Sequence, residues 1–127
     1  DWLYVSDHCK AIVSIIKSNM VGHTFNIGGN NEKINIDLVN EICDQVDNKL
    51  LNNKMFQELY PNSAIANQSN SRELIEFVSD RLGHDKRYSI NSSKLKRELG
   101  FNILTPFSSG IDITIDWYIK NLNWWSK

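Results

Sequence analysis

The chain has 127 residues, 41% of them hydrophobic and 23% charged, with 14 Lys and Arg against 15 Asp and Glu and a formal net charge of −1. That length suits one domain over residues 1–127 and lets it bury on the order of two thirds of its unfolded surface, while the charge balance excludes the basic face that duplex nucleic acid requires. No apolar run approaches the ~20 residues of a membrane span, and no secretory leader is visible. Cys9 and Cys43 form no CxxC pair and no zinc spacing; both fall in helical apolar patterns as buried free thiols, which points to a reducing, cytoplasmic setting.

The first residues, Asp1-Trp2-Leu3-Tyr4-Val5, read as a strand already under way, without an initiator Met, as expected of a fragment. Ser6 or Asp7 can then cap a helix to about Ser18, with Ile12, Ile15 and Ile16 on its buried face. Thr24 to Ile27 reads as a second strand, ended by Gly28-Gly29. Asn35 is placed as the N-cap of an amphipathic helix carrying Val39, Ile42, Cys43 and Val46. Residues 51–71 are rich in Asn and Ser and read as an exposed, disordered loop, apart from a short helix through Met55, Phe56, Leu59 and Tyr60 that Pro61 stops. Glu73 to Val78 is a third strand candidate. Asn91 or Ser92 caps a short helix that closes at Gly100. Thr105-Pro106 opens the last helix, lined on one face by Ile111, Ile115, Tyr118, Ile119 and Leu122. This order of helices and short strands gives the class α/β, or a small mixed α+β domain.

Chemistry is sparse along the chain. There is no GxGxxG, no GxxxxGK[ST], no Tyr followed four residues later by Lys, and no GxSxG elbow. No catalytic, cofactor-binding or metal residue is therefore expected within it. His8, His23 and His84 lie far apart and form no ligand pair. One segment stands out: Asp80-Arg81-Leu82-Gly83-His84-Asp85-Lys86-Arg87-Tyr88 sets three basic side chains and a His around one glycine. An Arg guanidinium meets two phosphate oxygens with a fork of donors. Gly83 permits a positive φ or a close backbone approach, and His84 can donate to an oxygen. The same composition also describes a solvated charged turn in which Asp80 and Asp85 pair locally. Asn35 is first a cap, but a helix N-terminus is also an anion site.

Read together, these segments resemble the dTDP-glucose 4,6-dehydratases of the extended short-chain dehydrogenase superfamily. The likeness rests on Asp1-Trp2-Leu3-Tyr4-Val5 with Asp7-His8, on Phe25-Asn26-Ile27-Gly28-Gly29-Asn30-Asn31-Glu32-Lys33 with Asn35, and on Asp80-Arg81-Leu82-Gly83-His84-Asp85 with Arg87-Tyr88. It continues through Ser93-Lys94, Arg97-Glu98-Leu99-Gly100, Phe107, Ser109-Gly110-Ile111 and Trp117-Tyr118. The resemblance implies a homodimeric enzyme of deoxysugar biosynthesis, such as that of dTDP-rhamnose. Its N-terminal Rossmann domain holds NAD, which oxidises C4 of the glucose, after which water leaves from C5 and C6 and the hydride returns to C6. The Tyr-xxx-Lys pair, a Thr and an acidic pair that carry those steps lie upstream, so this chain is expected to be inactive alone. What the resemblance assigns here is binding of the nucleotide-sugar substrate, by Asn35 and by Asp80, Arg81, Leu82, Gly83 and His84, with Arg81 as the main diphosphate ligand.

Three departures accompany the likeness. The family usually has Pro where this chain has Leu82, which leaves the loop less rigid. The stretch between the second helix and the third strand is longer than usual. An Arg that grips phosphate in the family would stand just before Asp1. The resemblance thus implies the C-terminal substrate-binding region of an extended short-chain dehydrogenase, with the Rossmann core largely outside. A nucleotide-sugar epimerase or decarboxylase of the same superfamily, or a non-catalytic interaction module, are the alternatives.

Overall fold

The computed structural model describes residues 1–126. Along the described chain the helices are α1 (Val5–Lys17), α2 (Asn35–Leu51), α3 (Lys54–Leu59), α4 (Ser93–Leu99), α5 (Phe107–Lys120) and α6 (Leu122–Trp125), with 3-10 turns at Ile65–Asn67 and Ser71–Leu74. Two compact units form: Asp1–Lys33 with Asp85–Ile111, and Ile34–His84 with the segment from Asp112 onward.

In the first unit α1 follows an extended Tyr4. Its fully buried positions are Ala11 and Asp7, while Ile12 and Ile16 of the expected core face stay exposed, along with Val5 and Val13. Cys9, expected to be buried, is exposed as well, and Cys43 is half-buried. Ala11 is small enough to let neighbouring backbone pack closely, so the buried edge of α1 is narrower than its apolar stripe. The short helix α4 centres on buried Leu95. The Asn91 side chain accepts the Ser93 N–H at 3.0 Å, and Gly100 closes the helix in the left-handed region at φ 62°, where a Cβ would be strained. Lys94 reaches back to the Thr24 carbonyl at 2.9 Å and lies over the Phe25 ring.

The second unit is built on α2. Ile34 rather than Asn35 occupies its N-cap position, so Asn35 is the first helical residue and not the expected cap. A β-extended Ile34 cannot offer a side-chain acceptor, and the first-turn bonds run instead from Asp37 and Leu38 N–H to the Ile34 carbonyl. Leu38 and Leu50 of α2, Phe56 of α3, and Ile115 and Ile119 of α5 are buried. Of the expected α2 face Val39 is exposed, its place in the core taken by Leu38, while Ile42, Cys43 and Val46 are half-buried. Asn53 caps α3 by accepting the Phe56 N–H, in keeping with the short helix read before Pro61. The Asn- and Ser-rich stretch is tied to α2 at its C-terminal end. Asp47 accepts from the Ser71 N–H and hydroxyl, and Arg72 forms a two-pronged pair with Asp44. Lys49 lies 2.6 Å from both Asp112 and Asp116; burial opposes its charge, but the two carboxylates outweigh it and raise the ammonium above its ordinary value.

No strand forms among the described residues, which corrects the three strands expected at Trp2–Val5, Thr24–Ile27 and Glu73–Val78, so that the described residues do not bear out the mixed α/β class. A strand exists only where a second backbone completes its ladder. Here Trp2 N–H reaches the Asn31 carbonyl at 3.0 Å, a single tie rather than a ladder. Residues 71–74 turn in 3-10 form, and Phe77 and Val78 are exposed.

Candidate functional site

The six residues expected to bind substrate, Asn35 and Asp80 to His84, fall in the second unit. Arg81 to His84 forms a tight turn in which the His84 N–H points to the Arg81 carbonyl at 3.4 Å. Gly83 sits at its corner with φ 75°. Nothing lies within 4 Å of a Cβ built there, so the glycine is required by backbone conformation and not by crowding. Leu82, next to it, is fully exposed. Its apolar side chain therefore contributes no packing within the described chain.

The turn is held by Asp80. One carboxylate oxygen accepts the Arg81 backbone N–H at 2.8 Å and lies 2.8 Å from His84 Nδ1, with the second oxygen at 3.0 Å. The His84 hydrogen bond holds the Asp80 carboxyl below the usual carboxylate range; burial opposes it, and the Arg81 N–H and the charge on the ring side add to the lowering. Arg81 is exposed, and among the described residues its guanidinium has no hydrogen-bond or ion-pair partner. The turn thus leaves one guanidinium uncommitted while tying down an acid and an imidazole. Asn35 is exposed at the first position of α2, and no hydrogen bond joins it to the turn among the described residues. The structure therefore brings Asp80, Arg81, Gly83 and His84 into one turn and leaves Asn35 as a separate position on the same unit.

The rest of the basic segment behaves differently. Arg87 belongs to the first unit and is committed to Glu32, which also accepts from the Ser89 hydroxyl at 2.5 Å. These bonds, Ser89 first, hold the Glu32 carboxyl below its ordinary value. Arg87 is accordingly a structural cation, bound to an acid 55 residues away, a separation at which sequence reading has no pairing signal.

Two further carboxylates of the first unit escaped sequence reading. Asp1 accepts from the Gly29 and Asn31 N–H groups at 3.1 and 3.0 Å. Asp7 is fully buried and accepts the Thr105 N–H at 2.8 Å and the Leu104 N–H at 3.3 Å. Burial opposes the Asp7 charge, but the Thr105 hydrogen bonds, Lys10 and the Leu104 N–H outweigh it and lower the carboxyl. The one available signal was an acid placed early in an apolar helix, which was read only as a cap. A cleft of about 610 Å³ in this unit is lined by Gly28 to Asn31, by Asn91 to Ser93 and by Phe101 to Phe107, among others. None of the six residues singled out from sequence lines it.

Among the described residues, the Gly28-Gly29 pair does not fit the phosphate loop of a dinucleotide cofactor. The Gly28-Gly29 pair runs into an extended segment rather than a helix, and its Gly29 N–H is already taken by Asp1. A dinucleotide loop instead needs free N–H groups opening a helix. Among the described residues no cluster of acidic, His or Cys side chains is placed to hold a metal ion, and no helix is long and apolar enough to cross a membrane.

Known proteins are similar to this chain along nearly its whole length. The dTDP-glucose 4,6-dehydratase of Shigella flexneri is 44% identical over 124 residues, covering 98% of this chain and 30% of the relative. That of Neisseria meningitidis serogroup B is 41% identical over 127 residues, covering all of this chain and 33% of the relative. A crystal structure of dTDP-glucose 4,6-dehydratase from Bacillus anthracis, in complex with NAD, superposes with a TM-score of 0.75 at 36% identity, over 99% of this chain and 33% of that one. The chain thus spans about a third of the length of the relatives it matches, and corresponds to their C-terminal portion. The family model described as GDP-mannose 4,6 dehydratase matches residues 1–114, and the chain belongs to that family.

Proposed function

We propose that this chain is the substrate-binding portion of a dTDP-glucose 4,6-dehydratase, the lyase that converts dTDP-glucose to dTDP-4-keto-6-deoxyglucose. The observation that carries this reading is the 41–44% identity to enzymes of that name along essentially every residue of the chain. The family model bears the name of a guanine nucleotide sugar; the thymine nucleotide is taken from the more closely matching relatives. NAD belongs to the portion of the enzyme outside this chain, and no residue here is assigned to it. The enzyme is taken to be a homodimer, as the resemblance implies, and its free thiols are taken to suit a reducing, cytoplasmic setting.

Within this reading Arg81 grips the diphosphate, His84 stands beside it, Gly83 supplies the turn, and Asn35 meets the nucleotide at the positive end of α2. Two features support the assignment. Arg81 is an exposed guanidinium without a protein partner among the described residues, and its turn is stiffened by Asp80 and Gly83. The diphosphate brings roughly two negative charges, which such a fork can meet with aligned donors.

The test is titration calorimetry of dTDP against the full-length enzyme. Arg81→Ala is expected to weaken binding by about 2–5 kcal/mol, about thirtyfold to several-thousandfold. Arg81→Lys should recover only part, because an ammonium cannot form the same fork, and bound NAD should be retained in both. A solvated surface arginine would change affinity by less than ~0.5 kcal/mol. Equal affinities in all three proteins would remove Arg81 from the site.

A further inference from the structure

The acid in this turn poses a question of charge. A carboxylate facing a diphosphate would repel it, yet Asp80 stands immediately before Arg81. Its geometry resolves the conflict: one oxygen is bound to the Arg81 N–H at 2.8 Å, and both lie within 3.0 Å of His84 Nδ1. Its hydrogen-bonding capacity is directed into the turn. We infer that Asp80 is a positioning residue rather than a ligand of the substrate, and that it acts by fixing the tautomer and orientation of His84. This deepens the diphosphate reading above and rests on it.

The argument runs through the imidazole. A neutral ring carries one proton, and a carboxylate on one nitrogen draws that proton to itself. With Asp80 on Nδ1, the hydrogen-bonded atom is Nδ1–H, and Nε2 becomes the atom that addresses a ligand. To donate to a phosphate oxygen, Nε2 must carry a proton as well as Nδ1, and Asp80 behind the ring faces the charge that such a donor has. The acid thereby converts a ring with two equivalent ways of pointing into one with a fixed face. The same carboxylate fixes the Arg81 backbone, so the guanidinium and the ring are registered from one anchor. His84 is about a third exposed and Asp80 mostly exposed, which makes the pair accessible to a ligand and its individual energy modest.

Three variants and two readouts test this. Nitrogen-15 NMR of the histidine rings in the full-length enzyme should show the Nδ1–H tautomer for His84. Asp80→Ala should abolish that preference, and Asp80→Asn, which keeps an acceptor, should retain much of it. Affinity of the full-length enzyme for dTDP should fall about threefold to tenfold in Asp80→Ala and less in Asp80→Asn. Two results would overturn the inference: unchanged or tighter dTDP binding in Asp80→Ala, the latter being what an acid facing the diphosphate predicts, or the same His84 tautomer with and without Asp80. Arg81→Ala separates the two levels. If it binds dTDP as the wild type does, the diphosphate reading fails whatever the tautomer, and if it does not, the Asp80 series judges the positioning role alone.

Discussion

Two turns of this molecule are each clasped by an aspartate, and they use glycine for opposite reasons. At residues 28–31, Asp1 holds the Gly29 and Asn31 N–H groups, and both glycines are buried. A Cβ at Gly29 would collide with the Trp2 carbonyl oxygen, and one at Gly28 would come within 2.9 Å of Ile90 Cβ. At residues 81–84, Asp80 holds the Arg81 N–H and the His84 ring, the turn is exposed, and Gly83 has open space around it but φ 75°. The first turn needs glycine because there is no room; the second needs it because of the backbone angle. The first is built for packing. The second is stiff yet solvated, as a ligand-facing turn must be before its ligand arrives.

The sharpest way to break this comparison is Gly29→Ala. Backbone rather than a flexible side-chain tip stands in the way, so the variant should lose about 3–5 kcal/mol of stability, read as a lowered urea midpoint. A midpoint like that of the wild type would mean the turn can open without loss. Asp7 extends the series to a fully buried clasp. Asp7→Ala strands the Leu104 and Thr105 N–H groups and should cost about 2–3 kcal/mol. Its carboxyl lies below the ordinary 3.8 in the folded chain. Its ionic contribution is therefore complete above the unfolded pKa and disappears as pH falls through the folded one. Urea midpoints of wild type and Asp7→Asn should consequently converge as pH is lowered from 7 toward 3, and a gap independent of pH would contradict the assignment. Gly83→Ala is the mildest. With no clash, it meets only the left-handed penalty of about 1–2 kcal/mol, and the loss in urea should fall clearly below that of Gly29→Ala.

The helices were legible in the sequence because their signals are local. The Pro61 stop after α3, the Gly100 stop after α4 and the Ile115–Ile119 pair of α5 all lie within a few residues of what they control. The strands were misread because apolar, β-branched runs such as Thr24 to Ile27 specify an extended backbone but not its partner, and a ladder is a property of two segments. Asn35 was misread as a cap for a smaller reason: Asn is favoured at N-caps, but a β-extended Ile34 took the position one residue earlier. At the candidate site, the types and order of Asp80, Arg81, Gly83 and His84 were readable, and so was the option of local acid pairing. The partner of that acid was not. Asp80 found His84 four residues on, while Asp85 was the other acid considered. Arg87, which looked equivalent to Arg81 by composition, was separated from it by a distant glutamate that no local pattern announces.

The anchoring of Ser71 and Arg72 onto Asp47 and Asp44 has a consequence for how this chain tolerates change in length. Asp47 and Ser71 are 24 residues apart, so the segment between them is a closed loop whose ends are fixed by side chains of a helix already formed. The entropy of closing such a loop rises only with the logarithm of its length, and even doubling it costs about 0.6 kcal/mol. Asparagines and serines can therefore accumulate between Pro61 and Asn70 at almost no thermodynamic penalty, provided the two clasps that end the loop are kept. An insertion drifting through this stretch over generations would leave α2 and its buried leucines undisturbed.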